Sequence, residues 1–319
     1  MRLSFTLFYL LVYGLLGQNI TFLPTSFDMD VHQFREANGN TEAVVNLTVP
    51  KTLFNWIDNG ENYEFEGVVD VRVFINGNIA AQDVFHVRES VVDRPGPIER
   101  QVRMVQQSRF VLTKGSAVFS AAITDLASNE VHKVTKNVII RTIDDSYLTT
   151  SDLLLCTFLK SERLMDENSI NRNGYMITPN PSSVFRLEKP MLYAYSEVYG
   201  LQDDGGTYTV NYILFNRSGK EEFRRGPFVR NKPGESSVET MGFNVMGLLA
   251  GKYRLRLEVI DNQSDQNTFM DQEFIIVKEL STNFNNNFTM ILDAMENDEL
   301  QDFIDIVGYF MSESEFQTL

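Results

Sequence analysis

The chain has 319 residues, 43 acidic against 28 basic side chains, a net charge of -15 and one cysteine. With no basic stripe to displace counterions from phosphates, nucleic-acid binding is excluded as a working expectation. One thiol cannot build an internal disulfide framework, and at ~100–200 residues per domain the length suggests two domains.

In chain order the first element is a leader. Arg2 precedes the uncharged run Leu3 to Leu16, and Gly17 is followed by polar Gln18 and Asn19. A positive start, a short apolar stretch and a small residue make residues 1–17 a predicted signal peptide, shorter than the roughly 20 apolar residues a membrane span needs. No later stretch is apolar enough to cross a bilayer. An exported chain with one cysteine fits a bacterial periplasm or an outer-membrane-associated surface.

From 18 to 145 the pattern is that of strands. The runs 44–49, 68–75, 117–123 and 134–140 are short, β-branched and bounded by Gly, Asn, Asp or Pro. The pattern resumes over 146–280 with 153–158, 191–199, 207–215, 253–260 and 269–277. Strands recurring every 8–12 residues or so predict antiparallel sandwiches rather than βαβ units.

A repeat joins the two halves. Gly115 to Asp125 aligns without gaps on Gly251 to Asp261, at an offset of 136 residues. Apolar residues fall at the same alternate positions after each Gly, and Ser128 and Ser264 each follow their Asp by three. This reads as a turn, a strand with one buried face and an Asp-started turn. In the second copy the run Leu248 to Tyr253 predicts a Tyr bonded back across a corner. The predicted fold class is therefore mainly β: two tandem Ig-like antiparallel β-sandwiches, followed by a short C-terminal α-helical tail.

The stretch Met176-Ile177-Thr178-Pro179-Asn180-Pro181-Ser182-Ser183-Val184-Phe185, with Pro190 to Leu201 after it, resembles the region upstream of the signature in exported bacterial GWxTD-domain proteins, found in Bacteroidota and related bacteria. The resemblance runs from about 151 to 278 and implies an envelope location. The Gly-Trp-x-Thr-Asp motif itself is absent, the one tryptophan being Trp56.

The chemical inventory nominates no catalytic residue, no metal site and no cofactor. His32, His86 and His132 form no close pair with ligand spacing, and no nucleophile elbow, phosphate loop or dinucleotide fingerprint is present. Cys156 sits in an apolar run, as an inert thiol would. Two acidic turns, Asp203-Asp204-Gly205-Gly206 and Asp261 to Asp265, offer oxygen ligands of the kind calcium takes, but neither completes a calcium loop.

Two constellations remain. Alternation along 191–199 places Tyr193, Tyr195, Glu197 and Tyr199 on one face, either an exposed row that stacks a sugar or a protein, or a cover over a core. In the tail, residues 281–319, the spacing turns helical, and Phe303, Ile304, Val307, Phe310 and Met311 form an apolar stripe expected to dock on the second sandwich or a following domain, or else on a partner protein. Nine acidic residues and no Lys or Arg fall between Glu279 and Leu319. The function expected is that of a non-catalytic envelope interaction or scaffold protein with protein partners; the alternative is a carbohydrate-binding or accessory module of a surface polysaccharide system.

Overall fold

A computed structural model describes residues 27–36, 40–96, 100, 102–161, 169–186 and 189–278. The predicted leader and the helical tail, with its stripe Phe303, Ile304, Val307, Phe310 and Met311, lie outside the described residues.

In the first half, eight strands succeed one another: β1 (Asp28–Arg35), β2 (Thr41–Pro50), β3 (Ile57–Asp58), β4 (Tyr63–Ile75), β5 (Asn78–Val91), β6 (Arg103–Leu112), β7 (Gly115–Asp125) and β8 (Val131–Ile140). One sheet has the order β1-β2-β6; in the other β4 joins β3, β7 and β8 in line and takes β5 on its remaining edge. Alternation decides which side chains face inward. Val45 and Leu47 from the first sheet meet Val69, Val71, Phe119 and Ile123 from the second, all of them removed from solvent.

The second half repeats the plan. Its strands are β9 (Thr149–Thr150), β10 (Leu154–Lys160), β11 (Ile170–Arg172), β12 (Tyr175–Pro179), β13 (Val184–Arg186), β14 (Met191–Tyr199), β15 (Thr207–Asn216), β16 (Glu221–Asn231), β17 (Ser236–Asn244), β18 (Gly251–Asp261) and β19 (Asn267–Val277). The sheet order β10-β14-β17 matches β1-β2-β6, and β19-β18-β15-β16 matches β8-β7-β4-β5. Both halves are thus mainly antiparallel Ig-like sandwiches of one topology. The second adds the β11–β12 pair beside β10, and β13 runs parallel to β19.

The repeated segments are the equivalent strands β7 and β18. Gly115 and Gly251 open them at φ of 148° and 151°, where a side chain would be strained. Buried residues then alternate in the same phase: Ala117, Phe119, Ala121 and Ile123 in one, Tyr253, Leu255, Leu257 and Val259 in the other. Asp125 accepts from the main-chain N–H of Ala127 and Ser128, and Asp261 from those of Gln263 and Ser264. The two turns close alike at Asn129 and Asp265, both with positive φ.

At the predicted corner Tyr253 donates its hydroxyl to the carbonyl of Leu249 at 3.1 Å. Tyr253→Phe removes that bond, and urea denaturation should register a loss of about 1 kcal/mol. Ala117 occupies the matching place in the first sandwich, so that module has no such corner.

Candidate functional site

Strand β14 is buried on both faces. Leu192, Ala194, Ser196 and Val198 point into the second sandwich, each 0 or 1 % exposed. Tyr193, Tyr195, Glu197 and Tyr199 share the outer face, and that face packs on the first sandwich. Phe34 of β1 and Val44 of β2 join Leu154, Cys156, Ile177 and Tyr195 in one buried cluster, with Tyr193 half-buried at its margin. The rings of Phe34 and Tyr195 are 6.4 Å apart and tilted.

The row is therefore not an exposed stacking platform. Tyr195 is fully buried, and Tyr199 and Glu197 are 3 % and 8 % exposed. Alternation places the four residues together correctly, but docking of the first sandwich turns their face into the lining of a joint.

A charged network runs through this joint. Arg172 of β11 donates from Nε to Glu197 and from its terminal nitrogen to Glu42 of β2 at 2.8 Å, joining the two modules through one guanidinium. The same guanidinium lies 3.6 Å over the Phe34 ring. Tyr195 and Tyr199 donate their hydroxyls to Glu197 at 3.0 and 2.7 Å. Asn173 donates to the Tyr195 hydroxyl, and the Arg35 main chain donates to that of Tyr199. Burial, and after it the Glu197 charge, pushes both phenols well above their ordinary pKa. Burial would pull Arg172 down, yet Glu197 and Glu42 outweigh it and hold the guanidinium charged. The two phenols are thus held neutral, and the Arg172 guanidinium is held charged between its carboxylate partners.

The connection between the modules is fastened as well. Asp152 accepts from the Gln33 main chain at 2.7 Å and from Arg141 at 2.9 Å, while its own N–H donates to the Gln33 carbonyl. The Gln33 side chain accepts from the Arg141 N–H and donates to the Ile139 carbonyl. Arg35 meets Asp145 at 2.5 Å, and the Leu148 N–H is bonded by Gln266. Polar groups on the linker are thus bonded to both modules, which removes the freedom a linker of this length would otherwise have.

Beside the network a cleft of about 380 Å³ opens, lined by Arg35, Asn173, Glu197, Tyr199, Ser236 and Ser237 among others. Its walls are mostly polar, and it lies where two modules meet, a common place for small-molecule sites.

The two acidic turns lie close together in the fold. They converge on Lys232, whose ammonium is 2.7 Å from Asp261 and 3.0 Å from Asp204, with its side chain fully withdrawn from solvent. An internal ammonium holds the place a cation would take. Among the described residues no group of three or more His, Cys, Asp or Glu side chains could hold a metal ion. The histidines stand apart from one another: His32 beside Asp30, His86 beside Glu66 and His132 beside Glu130. Cys156 is buried, and burial raises its thiol well above the ordinary range.

Inside the second sandwich Glu239 is another buried acid, accepting from Tyr208 at 2.5 Å with Arg230 3.0 Å away. Burial raises its pKa against the pull of Tyr208 and Arg230. A carboxyl with a raised folded pKa binds its proton more tightly folded than unfolded, so its ionisation weakens the fold as pH rises through that interval. Glu239→Gln should gain about 1 kcal/mol at neutral pH and nothing near pH 4 by parallel thermal denaturation series.

No protein-family model matches the chain. No curated protein matches it either. Among solved structures it is similar to the fibronectin(III)-like modules of Clostridium thermocellum CbhA, at 10 % identity and a TM-score of 0.22, covering 79 % of this chain and 94 % of that one. It is also similar to Bacteroides uniformis beta-glucuronidase 2, at 10 % identity and a TM-score of 0.25, covering 74 % of this chain and 26 % of the enzyme. The sandwich assignment stands on the hydrogen-bonded strand pairing. No helix among the described residues is long and apolar enough to cross a membrane.

Proposed function

We propose that this chain is a non-catalytic scaffold of a bacterial cell envelope, a stiff pair of modules that holds protein partners at a set spacing and angle. The observation that carries the reading is the joint. Arg172 ties Glu42 of one module to Glu197 of the other, and the linker is bonded on both sides. Modules in one chain move relative to each other unless their interface is large and apolar or otherwise secured. The envelope location rests on the predicted leader and on the resemblance over residues 151–278. A contact surface of suitable kind is β5, fourteen residues long and paired among the described residues with β4 alone.

The test combines two measurements on protein recovered from envelope fractions. N-terminal sequencing should begin at Gln18, and small-angle scattering should fit one fixed arrangement of the two sandwiches. A retained leader would sink the export reading. Scattering that requires a broad range of inter-module angles would sink the scaffold reading.

The cleft favours a second reading, in which Glu197, Tyr199 and Arg35 bind hydroxyl groups of a saccharide at the joint. Retention on polysaccharide that is lost in Arg35→Ala would support it over the pure scaffold.

A further inference from the structure

The end of the second sandwich far from the joint has a composition unlike the rest of the molecule. There β13 and β19 finish side by side, with Arg186 opposite Val277, and β18 begins with Lys252 opposite Ile275. The loop before β18 reaches the same end, since Val245 donates its N–H to the Pro190 carbonyl at 2.9 Å. That loop leaves Met246 and Leu249 55 % and 75 % exposed. Around them the described residues 184–186, 189–191, 244–253 and 275–278 carry the bases Arg186, Lys189, Lys252 and Lys278, and the sequence between Arg186 and Lys189 holds one acid, Glu188.

The chain leaves the sandwich at this spot. Lys278, the last described residue, donates its ammonium to the Met246 carbonyl at 3.2 Å. The remaining segment, 279–319, has nine acids, no base and the apolar stripe of Phe303, Ile304, Val307, Phe310 and Met311 at helical spacing. More than twenty residues separate Lys278 from Phe303, enough chain at ~3.3 Å per residue to turn back on the face it has just left.

We propose that this distal end is the docking site for the chain's own acidic tail. The stripe covers Met246 and Leu249, and the acidic flanks face Lys189 and Lys278. Charge sign, apolar character and the exit point select the same occupant independently. An apolar pair beside an excess of bases favours an acidic apolar segment over a basic or neutral one.

The test uses full-length protein with paired cysteines, one of them at exposed Leu249; buried Cys156 does not compete. Leu249→Cys with Ile304→Cys should form an intramolecular disulfide under mild oxidation in dilute solution, read by gel mobility and mass. The control, Gln202→Cys with Ile304→Cys, places the first thiol at the joint end and should cross-link at least tenfold more slowly. Adding Lys189→Glu and Lys278→Glu, or raising salt to ~1 M, should slow the Leu249 pair several-fold. Equal rates for the two pairs would overturn the proposal, as would cross-links found only between two copies, which would assign the site to a second molecule. Rates indifferent to salt and to charge reversal would remove its electrostatic half.

Discussion

Arg172→Ala should lower stability by about 3–5 kcal/mol, because it takes the guanidinium from Glu197 in the joint and leaves Glu42 with Arg109 at 3.7 Å. Glu42 and Glu197 have side chains 14 % and 10 % exposed, and Arg172 supplies a cation to both. Removal of one partner from a buried pair costs more than the pair ever contributes, since the remaining charge keeps its desolvation penalty. Arg172→Met with Glu197→Gln should accordingly be milder than Arg172→Ala: it leaves a neutral amide whose oxygen accepts from one phenol and whose NH2 donates to the other. Urea denaturation of the three proteins gives the ordering. Scattering separates a loosened joint from an unfolded module, for loosening broadens the inter-module angle while both sandwiches keep their strand signal. A single variant as mild as the double would refute the view that Arg172 holds the modules together.

Lys232→Met should cost a similar amount, about 3–5 kcal/mol, confined to the second sandwich. Asp261 is 1 % exposed, and burial alone would raise its pKa; the Lys232 ammonium and the N–H groups of Gln263 and Ser264 outweigh burial and hold it below the usual carboxylate value. A carboxyl with a depressed folded pKa contributes stability above its unfolded value and loses that contribution as pH falls through the folded one. The penalty of Lys232→Met should therefore be full at neutral pH and shrink below about pH 4, as Asp261 takes up a proton. Asp125, which ends the equivalent strand, is stabilised as a carboxylate differently, by hydrogen bonds from Asn55 and Ser128. The same substitution should leave the first sandwich unmoved, and calorimetry that resolves two transitions would show it. A penalty that persists undiminished in acid would mean that Lys232 acts through packing rather than charge.

Features written in consecutive residues were legible in the amino-acid order. The phase of β7 and β18, the Asp-started turns and the Tyr253 corner each depend on spacing within about a dozen residues. The face shared by Tyr193, Tyr195, Glu197 and Tyr199 was legible for the same reason. What covers that face was not, since Phe34 and Val44 stand some 150 residues away. One signal did point to double burial: Leu153 to Phe158 is apolar almost without break, as strands covered on both faces are. Arg172, Glu42, Gln33 and Lys232 gave no such sign. A buried ion pair between distant segments leaves no periodicity, and each residue alone resembles an ordinary surface charge.

The parallel contact of β13 with β19 bears on how the chain would respond to tension. Val184, Phe185 and Arg186 lie opposite Ile275, Ile276 and Val277, and the Ile275 N–H adds a bond to the Ser183 carbonyl. A pull toward the N-terminus draws β13 from its start, while a pull toward the C-terminus draws β19 from its end. Two parallel strands drawn that way slide along each other, so their bonds must break together rather than one by one as in a hairpin peeled from its tip. A force that reaches β13 and β19 from opposite sides thus loads all the bonds of this contact at once.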